Sequence, residues 1–312
     1  MRLNSVIENV LIDDIKSLEF DLILVSSGYE ERASFLISNY RFNSKNKLAL
    51  SFKNYGDIKE RLKNDGIFLK NGYKLIQSHG DDDSVILSVL ENLNFRGKNG
   101  LNILIDYSSM TRVWYSAILN YFRWLEVDNN IVIDIYFSYS LAKFSPPPTD
   151  HIPNRHIGPI KGFYSIALPL KPTALIIGLG YEKIRAFGLT EFLDSETLVF
   201  LTDSSQGDFT NAVRKENYEL LKIVDPENIF NYSFDNIVQL HHVLFSLCEK
   251  LTEKFRIIIA PCGPKPFTLI SLLNSILLKD IDIWRISPGS RGLPENRIPT
   301  GKTVVVKTKF LV

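Results

Sequence analysis

The chain of 312 residues carries 36 Lys and Arg against 35 Asp and Glu, and 45% of its residues are hydrophobic. That length is typical of two domains of about 150 residues each, and the near-neutral charge gives no overall field that would draw the chain to duplex nucleic acid or to an anionic membrane. Two cysteines without metal-ligand spacing, and no apolar run of about 18 residues, predict a cytoplasmic protein with no membrane partner, no metal centre and no cofactor.

Short, uninterrupted apolar runs alternate with helical patterns along the first half of the chain. The runs begin near residues 21, 47, 103 and 133, and the helical patterns cover 30–40, 58–69, 84–93 and 111–125. Such runs are typical of parallel strands that helices cover on both faces. Right-handed crossovers then predict an α/β fold with a doubly wound sheet of order 3-2-1-4-5, in which strands 1 and 4 are neighbours.

The second half repeats the same order of segments. Residues 21–33, 47–52, 103–109 and 133–136 match 174–186, 197–202, 257–263 and 281–284, at offsets between 148 and 154. Because the order is preserved, the pattern indicates two tandem Rossmann-like units related by internal duplication. Each half ends on a Pro-rich loop, with Asn154–Arg155 or Asn296–Arg297, and a β-rich segment. These endings predict a C-terminal β-hairpin in each unit, and we place the units at 1–170 and 171–312.

Polar residues follow strands 1 and 4 of the first unit, where the carboxyl ends of neighbouring strands frame a crevice. Both loops place small or hydroxyl residues just before a helix, where free backbone N–H groups favour an anion. The predicted ligand-binding residues are Ser27, Gly28, Tyr29, Arg32, Ser108, Ser109, Thr111 and Arg112. The two arginines could bind a phosphate through paired hydrogen bonds, and Asp106 could bind a ribose hydroxyl.

Structural roles compete with these functional ones. A hydroxyl residue at 108, 109 or 111 could simply cap the next helix, and Glu30 and Glu31 could offset the helix dipole. Asp106 ends an apolar strand, so its carboxylate needs a partner. A structural pair with Arg112 is therefore the alternative to ligand binding.

The second unit keeps the polar strand 1 loop but changes the strand 4 loop. Its predicted ligand-binding residues are Gly180, Tyr181, Glu182, Gly263 and Lys265. Ala260 stands where the first unit has Asp106, so the carboxylate is missing. Gly263 allows close backbone approach, and Lys265 supplies positive charge at the helix start. The sequence therefore predicts two related but unequal pockets.

Other chemically suggestive residues favour structural roles. The run Asp81–Asp83 opens a predicted helix, where acidic residues offset the dipole, although a divalent cation is the alternative. His241 and His242 point to different faces of a helix and are not expected to share a metal. Cys262 lies near a helix start, but no histidine is placed by the sequence to activate it.

The strand 4 motif Asp106-Tyr-Ser-Ser-Met-Thr-Arg112, together with the polar strand 1 loop, resembles the ligand-binding loops of CARF domains. These are CRISPR-associated Rossmann-fold sensors of cyclic oligonucleotides. The resemblance implies that Ser108, Ser109, Thr111 and Arg112, and Gly263 and Lys265 in the second unit, contact the ligand. It further implies a role in prokaryotic antiviral defence with a separate effector protein.

Three hypotheses for function follow. In the first, each unit binds a nucleotide or cyclic oligonucleotide, and the change is passed to a protein effector or to another copy of the chain. In the second, the chain is an enzyme that hydrolyses a nucleotide or its N-glycosidic bond, with Glu30 or Asp106 as acid, base or nucleophile. In the third, the chain is a structural subunit whose pockets are relics.

Overall fold

The computed structural model describes residues 2–54, 56–95, 98–126, 131–147, 154, 156–165, 170–181, 185–203, 207–287 and 295–312. The chain forms two compact units. The first joins Met1–Lys143 to Pro294–Val312, and the second is Phe144–Leu293. Within the part of the chain that the structure describes, no helix is long and apolar enough to cross a membrane.

The first unit is built on a seven-stranded mixed sheet. Its strands are β1 (Arg2–Val10), β3 (Leu22–Ser27), β5 (Lys47–Phe52), β6 (Lys74–Ser78), β7 (Gly100–Asp106), β8 (Val132–Ala142) and β15 (Pro299–Leu311). The order is β1-β15-β8-β7-β3-β5-β6. The five adjacent strands β8, β7, β3, β5 and β6 are parallel to one another. Numbered along the chain, those five strands have the order 3-2-1-4-5, which confirms the sequence prediction.

Helices connect the parallel strands of this unit where the helical patterns predicted them. They are a 3₁₀ helix (Glu31–Ser34) that runs into α2 (Phe35–Asn39), then α3 (Lys59–Lys70), α4 (Ser84–Glu91) and α5 (Arg112–Trp124). A short helix α1 (Ile12–Ile15) and a two-stranded ladder of β2 (Glu19–Phe20) and β4 (Asn43–Ser44) complete the unit. Every residue of β3 is buried, as expected of a strand covered on both faces.

The second unit has a six-stranded mixed sheet with the same parallel order. Its strands are β9 (His156–Pro159), β10 (Thr173–Gly178), β11 (Glu196–Thr202), β12 (Ile229–Tyr232), β13 (Arg256–Pro261) and β14 (Ile281–Ser287). The order is β12-β11-β10-β13-β14-β9, so its five parallel strands again read 3-2-1-4-5. The helices are α6 (Arg185–Leu193), α7 (Gly207–Glu216), α8 (Tyr218–Ile223), α9 (Ile237–Leu251) and α10 (Lys265–Leu277). Short 3₁₀ helices lie at Pro226–Asn228 and Phe234–Asn236.

The pairing of the last strands corrects the expected C-terminal hairpins. β15, predicted to end the second unit, pairs antiparallel with β8 and β1 in the first sheet. β9, predicted to end the first unit, pairs antiparallel with β14 in the second. β8 and β14 are the fifth parallel strands of their sheets. Without β15 and β9, respectively, each would be an open sheet edge with unpaired backbone groups. The units therefore do not coincide with the expected division into 1–170 and 171–312.

Candidate functional site

The strand 1 and strand 4 loops of the first unit meet at one edge of the sheet, as the strand order predicted. β3 and β7 pair in parallel, so Ser27 and Asp106 end neighbouring strands. A Cβ atom at Gly28 would lie 2.0 Å from Ser109 Oγ, which shows that the two loops are in direct contact. A side chain at position 28 would therefore disturb the present packing of the two loops.

A layer of buried polar side chains on α3 lies beneath the strand 1 loop. Arg61 Nε donates to the Ser27 carbonyl at 2.7 Å, and Arg61 Nη1 donates to Asp65 Oδ2 at 2.6 Å. Ser27 Oγ donates to Asp65 Oδ1 at 2.6 Å, so the predicted ligand residue Ser27 faces α3. Asn64 Nδ2 donates to the carbonyls of Gly28 and Glu30, both at 2.9 Å. These contacts fix the path of the loop.

The asparagine of this layer has a counterpart in the second unit. Asn217, 153 residues after Asn64, is also buried, and its Nδ2 donates to the Gly180 carbonyl at 2.7 Å. Gly180 is the counterpart of Gly28. The sequence analysis missed both asparagines because a lone Asn in a helical stretch looks like a surface residue. Extending the repeat offset into the helices would have found them.

Arg32 faces β8 and the interior of the first unit. Its Nη1 donates to Tyr139 Oη at 2.8 Å, its Nε pairs with Glu30 Oε2, and its guanidinium lies 5.0 Å from the Tyr139 ring centroid. Burial alone would lower the pKa of Arg32, but the Glu30 carboxylate and the Tyr139 hydroxyl raise it overall. The Arg32 N–H donates to the Arg297 carbonyl at 3.1 Å. In this structure Arg32 therefore holds the loop to its surroundings.

Asp106 and Ser108 form a turn at the end of β7. Asp106 Oδ1 accepts hydrogen bonds from the backbone N–H of Ser108, at 3.0 Å, and from its hydroxyl. Ser108 Oγ in turn accepts from the Ser140 N–H at 2.8 Å, which ties the loop to β8. Both side chains are buried. The turn presents the following residues, Ser109 to Arg112, at the sheet edge.

Thr111 and a set of aromatic rings close the remaining side of this edge. Thr111 caps α5 by accepting from the Trp114 N–H at 3.3 Å, and its hydroxyl donates to the Gly80 carbonyl at 2.6 Å. Thr111 thus has the capping role that was the alternative to ligand binding, and its predicted contact with a ligand stays a prediction. Phe52 stacks on Trp114 with ring centroids 4.7 Å apart, and the half-buried Tyr29 ring lies 5.7 Å from Phe52. Tyr29 thus presents part of an aromatic ring to solvent beside the two loops.

A basic residue begins the helix after strand 4 in both units. Arg112 is the first residue of α5 and Lys265 is the first residue of α10, 153 positions later. Both side chains are partly exposed. A cation in the first turn of a helix opposes the helix dipole, at a cost of about 0.3–1 kcal/mol. The helix dipole therefore does not explain the repeated placement.

The corresponding loops of the second unit are also in contact. A Cβ atom at Gly263 would lie 2.3 Å from the Leu179 carbonyl oxygen, and one at Gly178 would lie 2.3 Å from the Phe267 ring. The partly exposed Tyr181 packs on Phe209 with ring centroids 5.4 Å apart. The predicted ligand residue Glu182 lies outside the described residues.

Comparison with known proteins gives no family assignment. No protein-family model and no curated protein matches this sequence.

The other chemically suggestive residues of the sequence make contacts within the protein. Asp82 Oδ1 accepts from the Ser84 hydroxyl and N–H at the start of α4, and these bonds lower the pKa of Asp82. His241 is buried against Asn274 whereas His242 is exposed, and their ring centroids lie 5.2 Å apart. Cys262 is partly exposed. Among the described residues, no group of three or more His, Cys, Asp or Glu side chains could hold a metal ion.

Proposed function

We propose that this chain is a sensor that binds a nucleotide or cyclic oligonucleotide at the strand tips of its units. The observation that carries the proposal is the basic residue at the start of the helix after strand 4, Arg112 in one unit and Lys265 in the other. An anion bound there would be stabilised by the side-chain charge and by the helix dipole. A phosphate group is an anion of this kind.

The tyrosine of the strand 1 loop supports a nucleotide as the ligand. Tyr29 and Tyr181 lie 152 positions apart, directly after Gly28 and Gly180, and both rings are partly exposed. A base that stacks on a tyrosine ring contributes about 1–3 kcal/mol to binding. Together with the shared strand order and the pair Asn64 and Asn217, these matches favour an origin of the two units by internal duplication.

The carboxylates of the first unit favour binding over catalysis. Glu30 pairs with Arg32, and Asp106 accepts two hydrogen bonds from Ser108, so both help to hold the loops. The resemblance to CARF domains suggests a cyclic oligonucleotide, a role in prokaryotic antiviral defence, and signalling to a separate effector or to another copy of this chain. Hydrolysis that depends on Glu30 or Asp106 remains the alternative hypothesis.

Calorimetric titration of the full chain with a cyclic oligoadenylate, ATP and NAD tests the proposal. Arg112→Ala and Lys265→Ala should each weaken binding at their own unit about tenfold, the usual effect of removing one charged hydrogen-bond donor. Lys70→Ala and Lys250→Ala, which remove exposed lysines from the far ends of α3 and α9, should leave it unchanged. Equal affinity in all four variants would refute the proposal. Consumption of a ligand that Glu30→Gln abolishes would establish the enzyme instead.

A further inference from the structure

A hollow of about 280 Å³ opens between α3 and the helical segment formed by the first 3₁₀ helix and α2. Among the described residues that line it are neither Tyr29 nor Arg112. Its floor is the buried pair of Ser34 and Asn64, and its apolar walls include Phe35 and Ile67. This hollow takes no part in the proposed nucleotide site.

The α3 side of the hollow is a polar stripe where packing alone would favour an apolar one. Glu60, Lys63, Asn64 and Ile67 occupy positions i, i+3, i+4 and i+7, which lie on one face of a helix. A face turned toward a neighbouring helix is normally hydrophobic along such a stripe. Here only Ile67 is apolar.

The side of the hollow formed by the first 3₁₀ helix and α2 is also mainly polar. Glu31, Ser34, Phe35 and Ser38 also follow the i, i+3, i+4, i+7 spacing, and only Phe35 among them is apolar. Two facing stripes that are both mainly polar leave a gap that the helices do not fill with side chains. The gap is therefore suited to a molecule with its own polar groups.

The hydrogen-bond inventory shows which polar groups such a molecule needs. Both protons of the Asn64 amide are committed, to the carbonyls of Gly28 and Glu30, and the Ser34 hydroxyl donates to Asn64 Oδ1 at 2.7 Å. The floor therefore offers oxygen lone pairs and no free proton. The carboxylates of Glu60 and Glu31 add further acceptors at the rim, although Glu31 Oε1 already accepts from Asn296 Nδ2 at 2.9 Å.

The charge of the hollow selects the same kind of ligand. Two carboxylates, of Glu31 and Glu60, face one ammonium, of the exposed Lys63, so the lining is net negative. A ligand with several N–H donors and a positive charge matches both the acceptors and the charge. An apolar body would pack on Phe35 and Ile67.

We propose that this hollow binds a small organic amine, a molecule with an ammonium group on a compact apolar body. The ammonium group contacts Glu60 and the Ser34 hydroxyl, and the apolar body lies between Phe35 and Ile67. The proposal stands on the hollow alone and does not depend on nucleotide binding.

Titration of the full chain with tyramine, followed by calorimetry and by NMR shifts of the Asn64 side-chain amide, tests this inference. Tyramine should bind and shift the Asn64 amide signals. 4-Hydroxyphenylacetate, which has a carboxymethyl group in place of the aminoethyl group, should not bind. Glu60→Gln should weaken tyramine binding about tenfold, because it removes a charged hydrogen-bond partner. Glu91→Gln, a change at the exposed end of α4, is the matched control.

Three results would overturn the inference. They are equal binding of the two probes, equal affinity in Glu60→Gln and Glu91→Gln, and no binding of tyramine by a wild-type chain whose thermal unfolding shows it to be folded. Thermal unfolding of both variants verifies that a loss of binding is not a loss of structure, since both changes are at partly or fully exposed side chains.

Discussion

Asn64 shows how one side chain can determine the shape of a loop that carries a candidate site. Its amide satisfies the carbonyls of Gly28 and Glu30, and its own oxygen accepts from Ser34. Replacing Asn64 by Ala leaves these buried groups unsatisfied, at a cost of about 1–3 kcal/mol in the free energy of unfolding. Urea unfolding should show that loss for Asn64→Ala, and a smaller effect for Asn92→Ala, whose exposed amide donates to the Ser88 carbonyl of its own helix. Equal effects would contradict the role given to Asn64.

Replacing Gly28 is predicted to destabilise the first unit for a packing reason. The Cβ of Gly28→Ala would lie 2.0 Å from Ser109 Oγ, so the Ser109 side chain or one of the loops must shift, which overpacking data put at roughly 1–3 kcal/mol. Gly66 is the contrasting case, because a Cβ there meets no atom within 4 Å and the residue lies inside α3. Gly66→Ala should raise the free energy of unfolding by about 0.5–1 kcal/mol. Thermal unfolding of the two variants would contradict this account if their shifts had the same sign.

His241 gives the second unit a dependence on pH. Burial lowers the pKa of His241, with the Asn274 hydrogen bond acting in the opposite direction. The unfolded chain therefore takes up a proton at higher pH than the folded chain, and stability falls as the pH drops below the ordinary histidine value of about 6.5. His241→Gln should flatten the stability profile between about pH 5 and 7 in urea titrations. An unchanged slope would show that other groups cause any acid sensitivity.

The sequence predicted which residues form the two loops but not which way their side chains point. The loop residues were found because parallel strands place their carboxyl ends together, a rule that depends only on strand order. The directions of their side chains were not predictable. Arg32 turns inward because Tyr139 and Glu30 offer it partners, and Tyr139 belongs to a strand more than 100 positions away. Contacts of that range leave no pattern in a single sequence.

At the scale of elements, the last strands of the two halves join sheets that the sequence order did not indicate. The parallel strands were predictable because each apolar run alternates with a helical pattern. The partners of β9 and β15 were not, because an alternating β-rich segment fits the edge of either sheet. Strands that are consecutive along the chain most often pair with each other, so the sequence alone favours a hairpin at the end of each half.

A fragment experiment tests whether β9 belongs to the second sheet and β15 to the first. Residues 144–293 contain β9 and all the parallel strands of the second sheet, whereas 171–312 lacks β9 and carries β15 without β8. The first fragment should unfold cooperatively in urea. The second should be less stable or aggregate, because β14 and β15 both expose unpaired edges. A more stable 171–312 fragment would support the division at residue 170.

At the scale of the whole molecule, two units of the same parallel strand order each carry a basic residue at the start of the helix after strand 4. Their strand 4 loops differ, since Asp106 and Ser108 form a turn in the first unit where the second has Ala260 and Cys262. We therefore expect two sites of unequal affinity. Calorimetry should resolve two binding steps in the wild-type chain, and Arg112→Ala and Lys265→Ala should each weaken a different one of them about tenfold.

A crystal structure of the chain with a bound cyclic oligoadenylate tests the central claim most directly. The account predicts phosphate groups within hydrogen-bond distance of Arg112 and of Lys265, at the N-termini of α5 and α10. A ligand bound away from both helix starts, at a concentration that saturates binding in solution, would contradict it.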